Sequence, residues 1–252
     1  YLKEMNNQHL NEKKSRLSVD YFEKMHIIKN RKEDEVAIML IQFNFKNFRS
    51  FREEATLDLS ATKMTEFSER VVTIGREKIL PVAAIYGANA SGKSNIYSAF
   101  EYMAEYVVDS FKYGDEEEKF EEYRPTPFLF DSTSADAESS FEVYFTIPGD
   151  KNERTYNYGF CVDQEGVTEE WLNSKAKTAR KYSTVFYRGN SDNELDLSGL
   201  PKNSRDNIKI ALEKQVLIAS LGAKLKISKC KAIRDWFLTN EFADFGDPVT
   251  NF

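Results

Sequence analysis

The chain has few cysteines and histidines, two of each in 252 residues. Cys161 and Cys230 are far apart and have no His nearby in the sequence, which favours reduced thiols in the cytoplasm over disulfides. A zinc site is not expected either, because the imidazoles are limited to His9 and His26. No apolar run approaches the roughly 18 residues of a membrane span, and the polar first residues do not resemble a signal peptide. These scarcities predict a cytoplasmic protein without a membrane segment.

Positive charge is in the minority, since 35 Lys and Arg face 41 Asp and Glu, for a net charge of −6 and a pI near 5.3. This balance excludes a generally basic surface. It leaves open local basic patches and, with them, DNA as a partner. With 41% hydrophobic and 30% charged residues, the composition is typical of a soluble globular protein that buries a sizeable core. Residue 1 is Tyr rather than Met, so whether residues 1–38 belong to the native N-terminus stays open.

A glycine-containing motif stands about one third of the way along the chain. Residues 87–94, G-A-N-A-S-G-K-S, match G-x-x-x-x-G-K-[ST] at every fixed position. The apolar run at residues 82–86 predicts a buried strand before the motif. Ile96, Ala99 and Phe100 at helical spacing predict a helix after it, from about residue 93 to 109. Strand, loop and helix in this order are the context that the motif requires, which disfavours the alternative of an ordinary glycine-containing turn.

The residue types of this loop suit ATP and Mg²⁺. Glycine permits backbone angles and close approaches that a Cβ would forbid, so the loop N–H groups can turn inward around phosphate oxygens at the positive end of the helix dipole. Lys93 can reach the β and γ phosphates as the catalytic cation, and the Ser94 hydroxyl can ligate Mg²⁺. We therefore predict that the nucleotide contacts Gly87, Ala88, Asn89, Ala90, Ser91, Gly92, Lys93, Ser94 and Asn95.

The rest of the chain divides by pattern. Residues 1–38 are expected to be a charged extension with a partly amphipathic helix at about 16–29. The extension either packs on the core or remains mobile, or else its helix binds a partner or forms a dimer. Alternation at residues 41–45 and 54–60 predicts an antiparallel pair. The acidic run at 115–122 is interpreted as a solvated loop or helix face, because it lacks the ligand spacing of a calcium site. Alternating segments within about 124–190 predict a β-subdomain, an antiparallel meander of three or four strands. Helices are expected in the final part at about 201–240, one over 205–214 and one over 228–240 with the apolar stripe Ile233, Trp236 and Phe237.

Two motifs together resemble the ABC/SMC/RecF-type ATPases: F-K-N-F-R-S-F at residues 45–51 and the P-loop about forty residues later. The chain also has an Asn within the loop and two later strands with the patterns F-x-V-x-F and Y-x-Y-G-F. In these features it resembles the bacterial AAA ATP-binding proteins related to RecF and OLD, which occur in phage-defence and abortive-infection systems. This resemblance covers residues 39–252. It implies an α/β (α+β) fold, the nucleotide-binding lobe of an ABC-like P-loop NTPase with an antiparallel β-subdomain. It also implies that Arg49 lies near the phosphates, where a planar guanidinium suits them, and that Asn89 reaches the nucleotide.

The chain departs from this family pattern after the P-loop. A signature motif, an apolar strand ending in Asp-Glu and a switch histidine are not recognisable in it. L-S-G-L at 197–200 lies in a polar stretch, the apolar run 216–219 ends in Ser220, and D-F-G at 244–246 lacks its kinase companions. The resemblance therefore implies that the second lobe, with its catalytic carboxylate, lies outside this chain, which by itself is expected to be inactive.

By the same resemblance, ATP would drive a homodimer or higher oligomer that switches an effector protein such as a nuclease or toxin. Two alternatives stay open: a nucleotide sensor that binds ATP without turnover, and a RecF/SMC-like ATPase of DNA repair. A small-molecule P-loop kinase is disfavoured, because in such enzymes parallel βαβ units rather than an antiparallel meander come after the loop.

Overall fold

A computed structural model describes residues 39–61, 68–114, 117–147, 149–191 and 193–240. The extension 1–38, with its expected helix, and the D-F-G at 244–246 lie outside the described residues. The strands are β1 Met39–Lys46, β2 Ala55–Asp58, β3 Val72–Ile74, β4 Glu77–Ile79, β5 Ser139–Thr146, β6 Thr155–Val162, β7 Val167–Lys175, β8 Ser183–Arg188 and β9 Leu195–Asp196. The helices are α1 Lys93–Asp109, α2 Glu117–Glu122, α3 Ser132–Ala135, α4 Lys202–Ala211, α5 Ile218–Lys224 and α6 Ser228–Leu238.

Seven strands form one antiparallel sheet in the order β2-β1-β5-β6-β7-β8-β9, and β3 and β4 form a separate hairpin. The expected N-terminal pair is present, with Phe43 opposite Leu57. The expected meander is also present, from β5 to β8. The pair and the meander are not separate layers, because β1 also pairs with β5 and places Phe45 opposite Phe141. One sheet therefore joins the turn after β1 to the whole β-subdomain.

Aromatic side chains at alternating positions of the central strands form the core on one face of the sheet, as period-two alternation requires. Phe43, Phe45, Phe141 and Phe160 are each at most 1% exposed. Helices α1 and α6 cover this face. Phe100 of α1 lies 5.1 Å from Phe43 between ring centroids, and Trp236 of α6 lies 4.3 Å from Phe145. The core thereby fixes α1, which begins at the P-loop, against the sheet.

The prediction of a buried strand at residues 82–86 is wrong, because the structure has no strand there. These residues belong to neither sheet, and all of them are exposed. Val82 is 76% exposed and Tyr86 is 91% exposed. An apolar run indicates a preference for burial but not the identity of its neighbours, and no strand among the described residues pairs with this one.

The helical segments near the C-terminal end were predicted with small shifts. Helix α4 begins at Lys202 rather than 205, and α6 covers 228–238 with the predicted stripe Ile233, Trp236 and Phe237 buried. Helix α5 was not predicted, because a short apolar run such as 216–219 is equally typical of a strand. The acidic run contains α2, whose Phe120 is buried. Among the described helices, none combines the length and apolarity needed to cross a membrane.

Candidate functional site

The loop between residues 87 and 92 has the close contacts that its glycines were expected to permit. Gly92 adopts φ +88° and Ala90 φ 62°, both in the left-handed region. A Cβ on Gly87 would lie 2.6 Å from Ser91 Oγ, so only glycine fits there without a shift of that side chain. The loop is thus a compact turn whose conformation depends on its two motif glycines.

Lys93 folds back over the loop that precedes it. Its Nζ donates to the carbonyl oxygens of Gly87 at 2.8 Å and Ala88 at 2.6 Å. An ammonium group has three N–H donors, so these two bonds hold the charge over the concave side of the loop and leave one donor for a ligand. This is the position from which a lysine can neutralise a phosphate.

The N-terminus of α1 is open to an anion. Gly92 is the N-cap residue and supplies no side-chain hydrogen bond, and the first turn contains no acidic residue. No side-chain cap therefore occupies the first N–H groups of this 17-residue helix at its positive dipole end, although the N–H of Asn95 donates to Gly92 O at 2.9 Å. These features fit a nucleotide phosphate, and the exposed Ser94 in the first turn fits as a Mg²⁺ ligand. Magnesium typically takes few protein ligands beside phosphate oxygens and water.

The turn after β1 is anchored by Asn47, a residue that the sequence did not single out. Asn47 has φ 52° and is only 3% exposed. Its Nδ2 donates to the carbonyl oxygens of Ser134 and Ala137, both at 2.9 Å, and its Oδ1 accepts from the N–H of Phe128 at 3.0 Å. Asn tolerates the left-handed region better than most residues, which is the signal in N-F-R-S-F that could have identified it.

This turn packs directly on the P-loop. A Cβ on Gly92 would lie 2.9 Å from Ser50 Oγ and 3.1 Å from the Phe51 ring, so the glycine also permits this contact. Asn95 Nδ2 donates to Ser50 Oγ at 2.7 Å. The predicted site residues Gly92 and Asn95 are therefore in contact with Ser50, which sequence reasoning missed.

Arg49 lies on the same turn, with φ 50° and an exposed side chain. Its backbone N–H donates to Thr126 O at 2.8 Å, and its NH1 donates to Ser98 Oγ at 2.7 Å. Ser98 is four residues after Ser94, one turn further along α1. The structure thus places Arg49 beside the first two turns of the P-loop helix, while Ala88, Asn89 and Ser91 are exposed on the loop itself.

A buried carboxylate, Glu170, lies at the centre of β7 away from the loop. It is fully buried and accepts hydrogen bonds from the N–H groups of Ile218 at 2.6 Å and Ala219 at 3.0 Å, and from Tyr158 OH at 3.0 Å. Burial raises the pKa of Glu170 to about 7, although these hydrogen bonds and the charge of Arg188, opposite it on β8, act to lower it. Glu170 therefore fixes the start of α5 to the sheet.

Helix α1 is tied to the same segment at its far end. Tyr106 OH donates to Gln215 O at 2.9 Å, and the N–H of Leu217 donates to Ser110 Oγ at 3.2 Å. The P-loop helix, the segment before α5 and Glu170 thus form one continuous set of contacts across the core.

Comparison with known proteins agrees with the loop geometry. The model of the family described as "AAA domain, putative AbiEii toxin, Type IV TA system" matches residues 82–210, which is just over half of the 252 residues. The chain belongs to this family. No curated protein and no solved structure matches the chain.

The part of the chain that matches this AAA-domain family includes the whole P-loop, helix α1 and strands β5 to β9. Membership supports a P-loop ATPase domain of abortive-infection type, which uses a nucleotide. The turn containing Arg49 and Ser50 lies before the matched residues, although it contacts the P-loop.

Proposed function

We propose that this protein binds ATP with Mg²⁺ at residues 87–95 and that the complete protein hydrolyses it. The observation that carries the proposal is the position of Lys93 Nζ over the Gly87 and Ala88 carbonyls, at the uncapped N-terminus of α1. When bound, Mg²⁺ supplies charge neutralisation and orientation of the phosphates. Lys93 and the loop N–H groups orient the phosphates and stabilise the negative charge that develops during transfer.

We further propose that nucleotide binding switches an effector in bacterial defence against phage, and that the lobe is of the ABC/SMC/RecF type. The word toxin in the family description and the chain's resemblance to defence ATPases support the defence role. Residues 82–86 are apolar and exposed. This exposure supports an arrangement in which they pair with a strand outside the described residues, in a second lobe or in a second copy of the chain. ATP-driven dimerisation would follow from such an arrangement.

The test is Lys93→Ala in the full-length protein, with the exposed Lys151→Ala as the matched control. Binding of a fluorescent ATP analogue is expected to weaken at least about 100-fold in the first variant, because the loss of a charged hydrogen-bonding group to phosphate costs about 3 kcal/mol. The control should bind like the wild type.

Steady-state phosphate release from the same proteins separates an ATPase from a sensor without turnover. Hydrolysis that stops in Lys93→Ala but continues in Lys151→Ala supports the ATPase. ATP binding without phosphate release would favour the sensor, and wild-type hydrolysis by Lys93→Ala would reject the site.

A further inference from the structure

Three cations from three elements converge on the ring of Phe111, which lies directly after helix α1 in the turn Ser110–Lys112. Lys224 Nζ lies 4.8 Å, Lys112 Nζ 5.6 Å and Arg234 Cζ 5.8 Å from the ring centroid. We call Lys112, Lys224 and Arg234 the Phe111 cation cluster. Because each charge lies within 6 Å of one point, any two of them are separated by less than about 12 Å.

Two of these three cations have a polar partner close by. Arg234 Nε donates to Val108 O at 2.9 Å, in the last turn of α1 where the helix dipole favours a cation. Lys112 forms an ion pair with Asp109 at 2.6 Å. Lys224, at the end of α5, has no carboxylate partner among the described residues. The ring attracts a cation by only about 0.5–1 kcal/mol at an exposed site, so the cluster keeps an uncompensated positive charge.

The stretch of sequence that contains Lys224 and Arg234 also carries a net positive charge. Residues 201–240 contain nine Lys or Arg and three Asp or Glu, a net charge of +6 in a chain whose net charge is −6. Lys226, Lys229 and Lys231 of this segment are also exposed, although Lys229 donates to Gly199 O and Lys231 is paired with Asp235. Such a segregation of charge is typical of a surface that binds an anion.

We propose that the Phe111 cation cluster is a second phosphate-binding site, separate from the P-loop. The bond from Arg234 Nε to Val108 orients the guanidinium and leaves its two terminal nitrogens for oxygens of one phosphate. Lys224 adds a mobile point charge beside it. The cluster lies at the opposite end of α1 from Lys93, a helix length of roughly 25 Å, so one nucleotide cannot occupy both sites. The ligand is a phosphate ester, either a free polyphosphate or the backbone of a nucleic acid.

The experiment uses full-length protein with Lys93→Ala, so that the P-loop contributes little to binding. Pyrophosphate is titrated by calorimetry, and a fluorescent oligonucleotide of about 20 residues is titrated by anisotropy between about 50 and 200 mM salt. If pyrophosphate or the oligonucleotide binds, Lys224→Gln is expected to weaken that binding by about 5- to 10-fold. For the oligonucleotide it should also reduce the salt slope by about one. Lys181→Gln removes the same charge from an exposed lysine between β7 and β8 and is the control.

Each outcome decides the proposal. Loss of pyrophosphate binding in Lys224→Gln identifies a small polyphosphate site, and loss of oligonucleotide binding alone identifies a backbone site. Failure of both probes to bind, or equal effects of Lys224→Gln and Lys181→Gln, would overturn it. ATP binding to the P-loop of a protein with Lys93 intact should be unchanged by Lys224→Gln, so this test and that of the proposed function fail independently. Unchanged circular dichroism of Lys224→Gln shows that the fold is retained.

Discussion

The two flanks of the P-loop differ sharply in how they are held. On one flank, Ser50 and Phe51 touch Gly92, and Asn95 bonds to Ser50. On the other flank, residues 82–86 are exposed and belong to no sheet of the described structure. The first flank belongs to the turn after β1, a strand that pairs with both β2 and β5, whereas the second has exposed apolar side chains.

This difference shows which contacts give the loop its conformation. Within the described residues, Gly92 at φ +88° is in contact with the packed flank, and Lys93 Nζ is held by the loop carbonyls of Gly87 and Ala88. The open flank contributes apolar surface beside a ligand site, a combination typical of surfaces that another element covers. Substitutions on each flank can therefore separate the contributions of the two.

Phe43→Ala is expected to have the largest effect, because Phe43 is fully buried with its ring 5.1 Å from that of Phe100 on α1. Removing such a ring typically lowers the free energy of unfolding by about 3–5 kcal/mol. Tyr86→Ala on the open flank should change it by less than about 0.5 kcal/mol, as is usual for surface positions. Urea denaturation of both variants measures the contrast. A large loss in Tyr86→Ala would mean that the open flank is covered in solution.

Glu170, the buried carboxylate that binds the start of α5, should make the free energy of unfolding depend on pH. Its pKa rises from an ordinary value of 4.5 to about 7 on folding, so the folded state holds more protons between these values. The stability that Glu170 contributes is full below pH 4.5 and is lost as the pH rises through 7. The shift corresponds to on the order of 3 kcal/mol.

The measurement compares denaturation of wild type and Glu170→Gln from pH 4.5 to 8. The variant cannot ionise, so its free energy of unfolding should lack this component. The wild type should lose stability relative to Glu170→Gln over that range. Parallel pH profiles for the two proteins would show that the raised pKa is wrong.

Gly92→Ala tests the contact between the turn and the loop. A Cβ in the left-handed region costs about 1–2 kcal/mol, and here it would also lie 2.9 Å from Ser50 Oγ. We expect a loss of stability of that size and at least a tenfold weaker binding of an ATP analogue. Gly149→Ala shares the positive φ but has no atom within 4 Å of the new Cβ, so it should lose stability while retaining affinity. Equal affinities for both variants would contradict the importance of the packed flank.

Ser50→Ala removes only the bond from Asn95 Nδ2 on the packed flank. The bond is exposed, so the expected loss of stability is about 0.5–1 kcal/mol, with a modest fall in nucleotide affinity. Ser60→Ala, at an exposed serine of a neighbouring segment, serves as the control. An effect of Ser60→Ala as large as that of Ser50→Ala would show that the bond to Asn95 contributes nothing specific.

Local patterns predicted the elements whose partners are close in sequence. The alternation in β5 and β6, the extent of α1 and the stripe of α6 all depend on the chain's own periodicity. Long-range pairing was not predictable in this way. The contact of β1 with β5 joins residues about a hundred positions apart, and the exposure of 82–86 depends on neighbours that a pattern does not name.

The site shows the same division. The motif predicted that Gly87, Gly92 and Lys93 act together, because their spacing requires a particular turn. It could not predict Asn47 or Ser50, whose importance follows from the packing of a distant turn on the loop. Glu170 was equally hidden, since an acidic residue in a strand with other polar neighbours is indistinguishable in sequence from a solvent-facing one.

The two carbonyl contacts of Lys93 have an entropic consequence. A free lysine side chain samples many rotamers, and restricting it costs up to about 2 kcal/mol. Here the contacts with Gly87 and Ala88 impose that restriction before any ligand arrives. Association with a triphosphate therefore does not have to immobilise this long side chain, and the remaining N–H already has a defined direction. Arginine, with a planar group of different reach, could not reproduce this arrangement even though its charge is the same.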